Sequence, residues 1–266
     1  MEDSTMMKII VCVKQVPDTT EIKIDPVKGT LIRDGVPSIM NPDDKGGLEL
    51  ALRLKDQHGA HITVISMGPP QADVILREAF AMGADRAILL SDRKFAGADT
   101  LATSYALSGL CRTLDYDLII AGRQAIDGDT AQVGPELAEH LDLPQITYVA
   151  DAKRLDNGNL LVHKENEDSV QVLEVEGKCL LTVLASAFEP RYMSVNGIMK
   201  AYEREVEVWG ADKIDVDESK LGLAGSPTKV FKSFPKALKA PGEVHEVSEE
   251  EAVELIINKL KEKHII

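Results

Sequence analysis

Basic residues are the scarce charge in this chain of 266 residues: 30 Lys and Arg stand against 44 Asp and Glu, a formal net charge of −14. A nucleic-acid surface needs a basic partner, so this balance argues against nucleic-acid binding. It fits a dispersed protein that meets partners through charge. No apolar run approaches the roughly 20 residues of a membrane helix, so no membrane insertion is expected. The opening residues, MEDSTMMKIIVCV, lack a basic n-region and run straight into a strand-like stretch, so no signal peptide is expected. Cysteine is also sparse. Cys12, Cys111 and Cys179 are far apart, odd in number and set in apolar patterns, which suits small buried hydrophobes better than a redox or metal centre. The six histidines form no metal-ligand spacing with them or with one another. The reducing cytoplasm is the expected location.

Catalytic signatures are missing too. There is no G-x-S-x-G or HGGG pattern, no Walker lysine motif and no G-x-G-x-x-G. Ser104 and Ser108 lie a helical turn apart with no histidine placed to activate them. No catalytic residue is nominated, and any chemistry must come from a bound cofactor.

What is present is an alternation of strands and helices. Lys8 to Val13 reads as the first strand, and two short alternating runs, Glu21 to Asp25 and Thr30 to Arg33, read as a hairpin inserted after it. Asn41-Pro42 gives a helix N-cap followed by proline at the first helical position, and Gly59 stops that helix. His61 to Ser66 is the second strand. A helix with Val74, Ile75, Ala79 and Phe80 inward follows and ends at Gly83. Arg86 to Leu90 is the third strand, and a helix from about Thr100 to Leu114 comes next. Leu118 to Ile120 and Gln145 to Val149 supply strands four and five. Such alternation means βαβ units: an α/β fold with a doubly wound, mainly parallel sheet of order 3-2-1-4-5. That order places the carboxyl ends of strands one and four side by side, at the switch point where open α/β sheets bind ligands.

Beyond Ala152 the texture changes. Runs at Asn159 to His163, Val170 to Val175 and Leu180 to Leu184 predict an antiparallel meander extending the sheet. After Val216 comes a stretch of roughly thirty residues with little periodicity, a length usual for a lid, linker or binding arm. Leu221, Phe231, Phe234 and Leu238 give it apolar anchors, so it is expected to lie across another chain. A final helix opens with Ser248 and Glu251 as a capping box and presents Val253, Ile256, Ile257 and Leu260. The expected organisation is a nucleotide-binding α/β domain with its extension over residues 1–216, then an arm and terminal helix over 217–266.

The most informative stretch is Leu118 to Leu141, LIIAGRQAIDGDTAQVGPELAEHL: a buried-type strand, a small-residue turn and a helix start. Unpaired N–H groups at such a start offer a site to phosphate or ribose. Gly128 permits close backbone approach, and the N–H groups of Gly128 to Gln132 could surround a pyrophosphate. Asp127 and Asp129 would repel phosphate, so ribose hydroxyls or helix caps are their sensible partners. Arg123 or Lys14 could balance phosphate charge. Pro135 suits a first helical turn but would cost a hydrogen bond deeper in. The bland alternative is an ordinary βα connection, with Asp129 a plain N-cap.

Further segments carry a resemblance. Val11-Cys12-Val13-Lys14, Ser38-Ile39-Met40-Asn41-Pro42 and Ala81-Met82-Gly83-Ala84-Asp85-Arg86 are three of them. Gly122-Arg123-Gln124-Ala125-Ile126-Asp127, Glu189-Pro190-Arg191-Tyr192 and Ile198-Met199-Lys200-Ala201 complete the set. In this order they resemble the beta subunit of electron-transferring flavoproteins across nearly the whole chain. The Gly-Gly common in that family near Asp168-Ser169, and the proline near Lys178, are absent, as in a subfamily difference. The resemblance implies a sheet of the adenine-nucleotide-binding type and an alpha-subunit partner carrying a redox FAD. It also implies that the arm from Asp217 to Ser248 wraps that partner.

One branch of the family holds AMP at the beta site; the other, electron-bifurcating, holds FAD. DGDTAQVGPE together with AGADTLATS (Ala96 to Ser104) is similar to the second. The resemblance then places the adenylate on Gly122, Arg123, Gln124, Ala125, Ile126, Asp127, Gly128, Asp129, Thr130, Ala131, Gln132 and Val133. Asp99, Thr100 and Thr103 would meet the flavin ring and ribityl chain, with Cys12, Asn41 and Met67 at the neighbouring strand ends. It further implies NADH as electron donor, a ferredoxin-like protein as low-potential acceptor and a dehydrogenase of acyl-CoA, enoyl-CoA or lactate type as the other. Glu189 to Ala201 would help recognise that dehydrogenase. The alternatives are a non-bifurcating carrier with structural AMP, and an ATP-binding regulatory module without flavin.

Overall fold

A computed structural model describes residues 6–18, 37–231 and 242–266. The hairpin expected over 21–33, and the arm anchors Phe234 and Leu238, lie outside the described residues. The chain runs through β1 (Met7–Cys12), a short ribbon of β2 (Gln15–Pro17) and β3 (Ser38–Met40), then α1 (Pro42–His58), β4 (Ala60–Met67) and α2 (Asp73–Met82). It continues through β5 (Arg86–Leu90), α3 (Thr100–Cys111), β6 (Leu118–Gly122) and α4 (Val133–His140). Next come β7 (Gln145–Arg154), β8 (Leu160–Glu165), β9 (Val170–Val175), β10 (Cys179–Val183), α5 (Val195–Ala201) and β11 (Glu207–Trp209). The short α6 (Gly222–Gly225) and the terminal α7 (Glu249–Glu262) close the chain.

Among the described residues the main sheet has nine strands, ordered β11-β5-β4-β1-β6-β10-β7-β8-β9. The five expected parallel strands keep their relative positions, and two more join them. β11 pairs parallel to β5 at one edge, and β10 lies between β6 and β7, parallel to both. The run at 180–184 is therefore a central parallel strand, which corrects its assignment to the antiparallel meander. Only β7, β8 and β9 form that meander.

Side chains alternate across the sheet with period two, as strand geometry requires. Ile9 and Val11 of β1, and Leu118 and Ile120 of β6, pack with Leu48, Leu52, Ile75 and Phe80 of α1 and α2. Ile10 and Cys12, and Ile119 and Ala121, pack on the other side with Leu107 and Leu110 of α3 and Leu137 of α4. Both faces are covered, so the central strands read as unbroken apolar runs. Val74, expected inward, is instead exposed on α2, while Ile75 and Ala79 face the core.

Beyond Val149 a register shift lets β7 continue past its pairing with β10 and pair with β8. Tyr148 lies just before it, where the β7–β10 register shifts between Ile146 and Val149, with φ +57, a conformation unusual for a bulky residue. Residues after Val216 do not form a free linker at first. Leu221 is buried in the core on the α3 side, and α6 follows it. Phe231, by contrast, is fully exposed. The expected capping box of Ser248 and Glu251 opens α7, whose Val253, Ile256 and Ile257 are exposed. Among the described residues no helix is long and apolar enough to cross a membrane.

Candidate functional site

β1 and β6 are neighbours, and their carboxyl ends lead to helices on opposite faces, α1 and α4. This is the switch point, and the loop after Gly122 crosses it. The start of α1 holds that loop from beneath. Asn41 is fully buried; its Nδ2 donates to Gln124 O at 2.8 Å and its Oδ1 accepts from Ile126 N–H at 3.1 Å. Asp43 accepts from the N–H groups of Gln124 (3.2 Å) and Ala185 (2.9 Å), with Arg123 Nε at 3.4 Å. Asp44 accepts from the N–H groups of Lys14 (2.8 Å) and Gly122 (3.0 Å), the last residue of β6. Two carboxylates and one amide thus take up the backbone donors that strand ends leave unpaired.

Burial pushes the Asp44 carboxyl up to about 7, against the pull of its hydrogen bonds from Asn41, Lys14 and Gly122. Burial also raises the Cys12 thiol well above its ordinary value, with the nearby Cys111 and Asp44 adding to the effect. Cys12 is a neutral thiol in the floor and no nucleophile.

Above this base the loop turns outward. Gly128 and Asp129 both donate to Ala125 O, at 3.2 and 2.9 Å. Asp129 and Ala131 take left-handed φ values of 50 and 52. Two non-glycine residues in that region store strain of a kind that gathers at ligand sites. Ala131 is followed by Gln132 in right-handed helical geometry, and such alternation turns successive N–H groups to one side. α4 begins at Val133, with Gln132 in the capping position and no side-chain cap. Its first backbone bond runs from Glu136 N–H to Gln132 O, which leaves the first-turn donors free for a ligand. Pro135 falls within this first turn, where its missing N–H costs nothing. Asp129 is not the helix cap: its carboxylate lies three residues short of Gln132 and instead accepts from Gln124 Nε2 at 2.9 Å. Asp127 faces Lys14, Nζ to Oδ1 at 2.6 Å.

The second predicted group adjoins the first. Thr100 Oγ1, at the start of α3, contacts Gln132 Oε1 at 3.1 Å and Glu136 Oε1 at 3.3 Å. Burial raises the Glu136 carboxyl despite hydrogen bonds from Thr100 and Ser104. Thr103 lies one turn into the same helix, half-buried. Asp99 caps α3 through Ala102 N–H at 3.0 Å, and its other oxygen is engaged by Thr228. Met67 stands apart, with Lys14, Val16 and Ala72 around a cleft of about 200 Å³ between the β2–β3 ribbon and the turn after β4. That volume is too small for a dinucleotide. The sequence reading missed Asp43, Asp44 and Glu136. Acidic residues in a first helical turn are ordinary dipole partners, so nothing local marks them. Among the described residues no group of three or more His, Cys, Asp or Glu is placed to hold a metal.

Fold and site together define a doubly wound α/β protein whose switch point carries a loop with free backbone donors. Comparison with known proteins makes the assignment specific: the profile described as the electron transfer flavoprotein domain matches residues 28–214, and the chain belongs to that family. It is 59% identical over 260 residues, 98% of this chain and 100% of the relative, to the electron transfer flavoprotein subunit beta of Clostridium acetobutylicum. It is 52% identical over 263 residues (98% and 100%) to the caffeyl-CoA reductase–Etf complex subunit CarD of Acetobacterium woodii. It is 45% identical over 270 residues (98% and 100%) to the acryloyl-CoA reductase electron transfer subunit gamma of Anaerotignum propionicum. Within the family the chain is of beta-subunit type.

Proposed function

We propose that this chain is the beta subunit of a heterodimer with an electron-transferring flavoprotein alpha subunit, with FAD at the switch point as the entry for electrons from NADH. FAD bound there would supply hydride acceptance and one-electron chemistry, serving a ferredoxin-like acceptor and, through the alpha-subunit FAD, a dehydrogenase or reductase of acyl-CoA, enoyl-CoA or lactate type. The residues fit such a group. The free donors of α4 and the turned N–H groups near Ala131 and Gln132 suit a pyrophosphate, with Lys14 and Arg123 as nearby cations. Asp127 and Asp129 offer acceptors to ribose hydroxyls. Asn41, Asp43 and Asp44 hold the loop in place from beneath.

One observation carries the choice of FAD over AMP. Thr100 at the start of α3 contacts Gln132 and Glu136 at the start of α4, so the loop surface continues onto α3. A ligand longer than a mononucleotide has polar ground to extend across. That two relatives are named as electron-transfer parts of CoA-reductase complexes supports the dehydrogenase arm of the reading. The segment expected to recognise that enzyme exposes Tyr192, Val195, Ile198 and Met199, apolar surface of the kind that marks interaction sites.

The test is to coexpress the chain with its alpha subunit, release the nucleotides with acid and count them. Two FAD per heterodimer and bleaching of the yellow complex by NADH are expected. One FAD with one AMP would assign the protein to the non-bifurcating carriers.

A further inference from the structure

The oxygens of Asp99 serve two different parts of the molecule. Oδ1 accepts the Ala102 N–H and caps α3. Oδ2 accepts both the backbone N–H of Thr228, at 3.0 Å, and its hydroxyl, at 2.7 Å. The Asp99 N–H in turn donates to Ser226 Oγ at 2.8 Å, and the buried Ser226 hydroxyl donates to Gly222 O at 2.8 Å. Leu223 N–H donates to Ala96 O at 3.0 Å, and Lys94 pairs with Glu218. The whole stretch 217–228 is therefore fastened to the loop 92–100. Burial pushes the Asp99 carboxyl up, but the bonds from Ala102, Thr228 and Ser226 outweigh it and hold it below the usual carboxylate range.

This fastening lies at a junction. On one side, Thr100 follows Asp99 directly and contacts Gln132 and Glu136 at the nucleotide loop. On the other, Lys229, Val230 and Phe231 follow Thr228 directly and are exposed. A carboxylate with both oxygens committed has little capacity left for a flavin, so its contribution is to hold Thr100 and Thr103 where they stand.

We propose that Ser226 and Thr228 are positioning residues for the nucleotide site, coupling it through Asp99 to the seat of the C-terminal arm. The proposal rests on the reading of this site as nucleotide-binding. Coupling of this kind is reciprocal: a nucleotide that settles the start of α3 also settles Thr228, and a well-seated Thr228 tightens nucleotide binding. Thr228 is exposed and its side chain makes no core contact, so its replacement leaves folding intact.

The experiment uses the full complex with the alpha subunit. Loss of bound nucleotide is followed over time by rapid gel filtration and acid extraction, with the alpha-subunit FAD as internal reference. Thr228→Val should release the beta-site nucleotide about tenfold faster, the effect of one charge-assisted hydrogen bond, and Ser226→Ala about fivefold faster, the effect of a neutral one. Thr228→Ser should behave as wild type. Amide exchange at residues 99–103 should rise in Thr228→Val and stay unchanged in Thr228→Ser. Faster exchange confined to 226–231, with nucleotide release unaltered, would overturn the coupling while leaving the functional reading in place. A wild-type complex with no nucleotide at this site would overturn both.

Discussion

Asp44 Oδ1 receives the N–H of Gly122 at 3.0 Å, joining the first turn of α1 to the last residue of β6. The contact is close enough that Gly122 has no room for a side chain: an added Cβ would lie 2.3 Å from Asp44 Oδ1 and 2.6 Å from Asp44 N. Gly122→Ala should therefore destabilise the protein by about 1–3 kcal/mol, the usual cost of overpacking. Gly128, six positions on, has nothing within 4 Å of an added Cβ. Gly128→Ala should leave denaturant unfolding near wild type, and equal losses at the two positions would contradict this account.

The raised Asp44 carboxyl makes stability depend on pH in a definite direction. Its folded value of about 7 lies above the ordinary 3.8, so the native state holds a proton that the unfolded chain has released between those values. The contribution is fully present below 3.8 and is lost as pH rises toward 7. Asp44→Asn should remove that slope. It should also cost about 1–3 kcal/mol throughout, because an amide NH₂ then faces a backbone N–H. Unfolding free energies of wild type and variant from pH 4 to 7 separate the two effects. A difference that stays constant across the range would refute the assignment.

Asn41 uses both ends of its amide on one loop, so its replacement should loosen the loop more than the helix. Asn41→Ala removes both hydrogen bonds of a fully buried side chain, to the part-buried Gln124 O and Ile126 N–H, costing about 1–2 kcal/mol. Amide exchange should speed up at 124–132 ahead of α1, and the complex should lose the nucleotide proposed for this loop. Faster exchange in α1 first would mean that Asn41 serves mainly as a helix cap.

Glu49 is almost fully buried and is matched by Arg191, whose Nε and Nη2 reach it at 2.9 and 3.1 Å. Burial raises the Glu49 carboxyl, but Arg191 more than compensates and holds it below its usual value. Arg191→Met leaves the buried Glu49 carboxylate to Arg53, whose Nε stands 3.2 Å from Oε1, and should cost about 1.5–3 kcal/mol, the scale of a hydrogen bond to a charged group. The same change releases the exposed segment that follows, Tyr192 to Ala201, so affinity for the proposed dehydrogenase partner should fall. Stability loss with undiminished partner affinity would separate the pair from the docking surface.

The βα rhythm was legible because each central strand is buried on both faces and stands out as an apolar run bounded by turn residues. β10 carried the same signal: Cys179 to Val183 is buried at every position, whereas β9 is mostly exposed. Its place between β6 and β7 was not legible, since a run of apolar residues does not say which neighbours it will have. β11, three residues with Val208 exposed, is too short to show a period. At the site, the loop itself could be found from its glycines and aspartates. The residues that hold it could not, because Asp44 becomes a receptor only when Gly122, 78 positions later, is brought against it. Asp129 looked like a cap because Asp favours that position; its left-handed backbone is the other conformation that a short polar side chain tolerates.

The position of β10 means that the sheet is completed out of synthesis order. β6 and β7 emerge from the ribosome long before residues 179–183, yet neither can pair with the other in the finished sheet. Until β10 arrives, each presents an open row of backbone groups, the configuration that invites pairing with foreign chains. Nascent chains stalled before Cys179 should therefore be protease-sensitive and aggregation-prone, with protection appearing once Leu184 has cleared the exit tunnel. A chain of this topology depends on late residues to close its middle, and its folding is expected to be correspondingly slow.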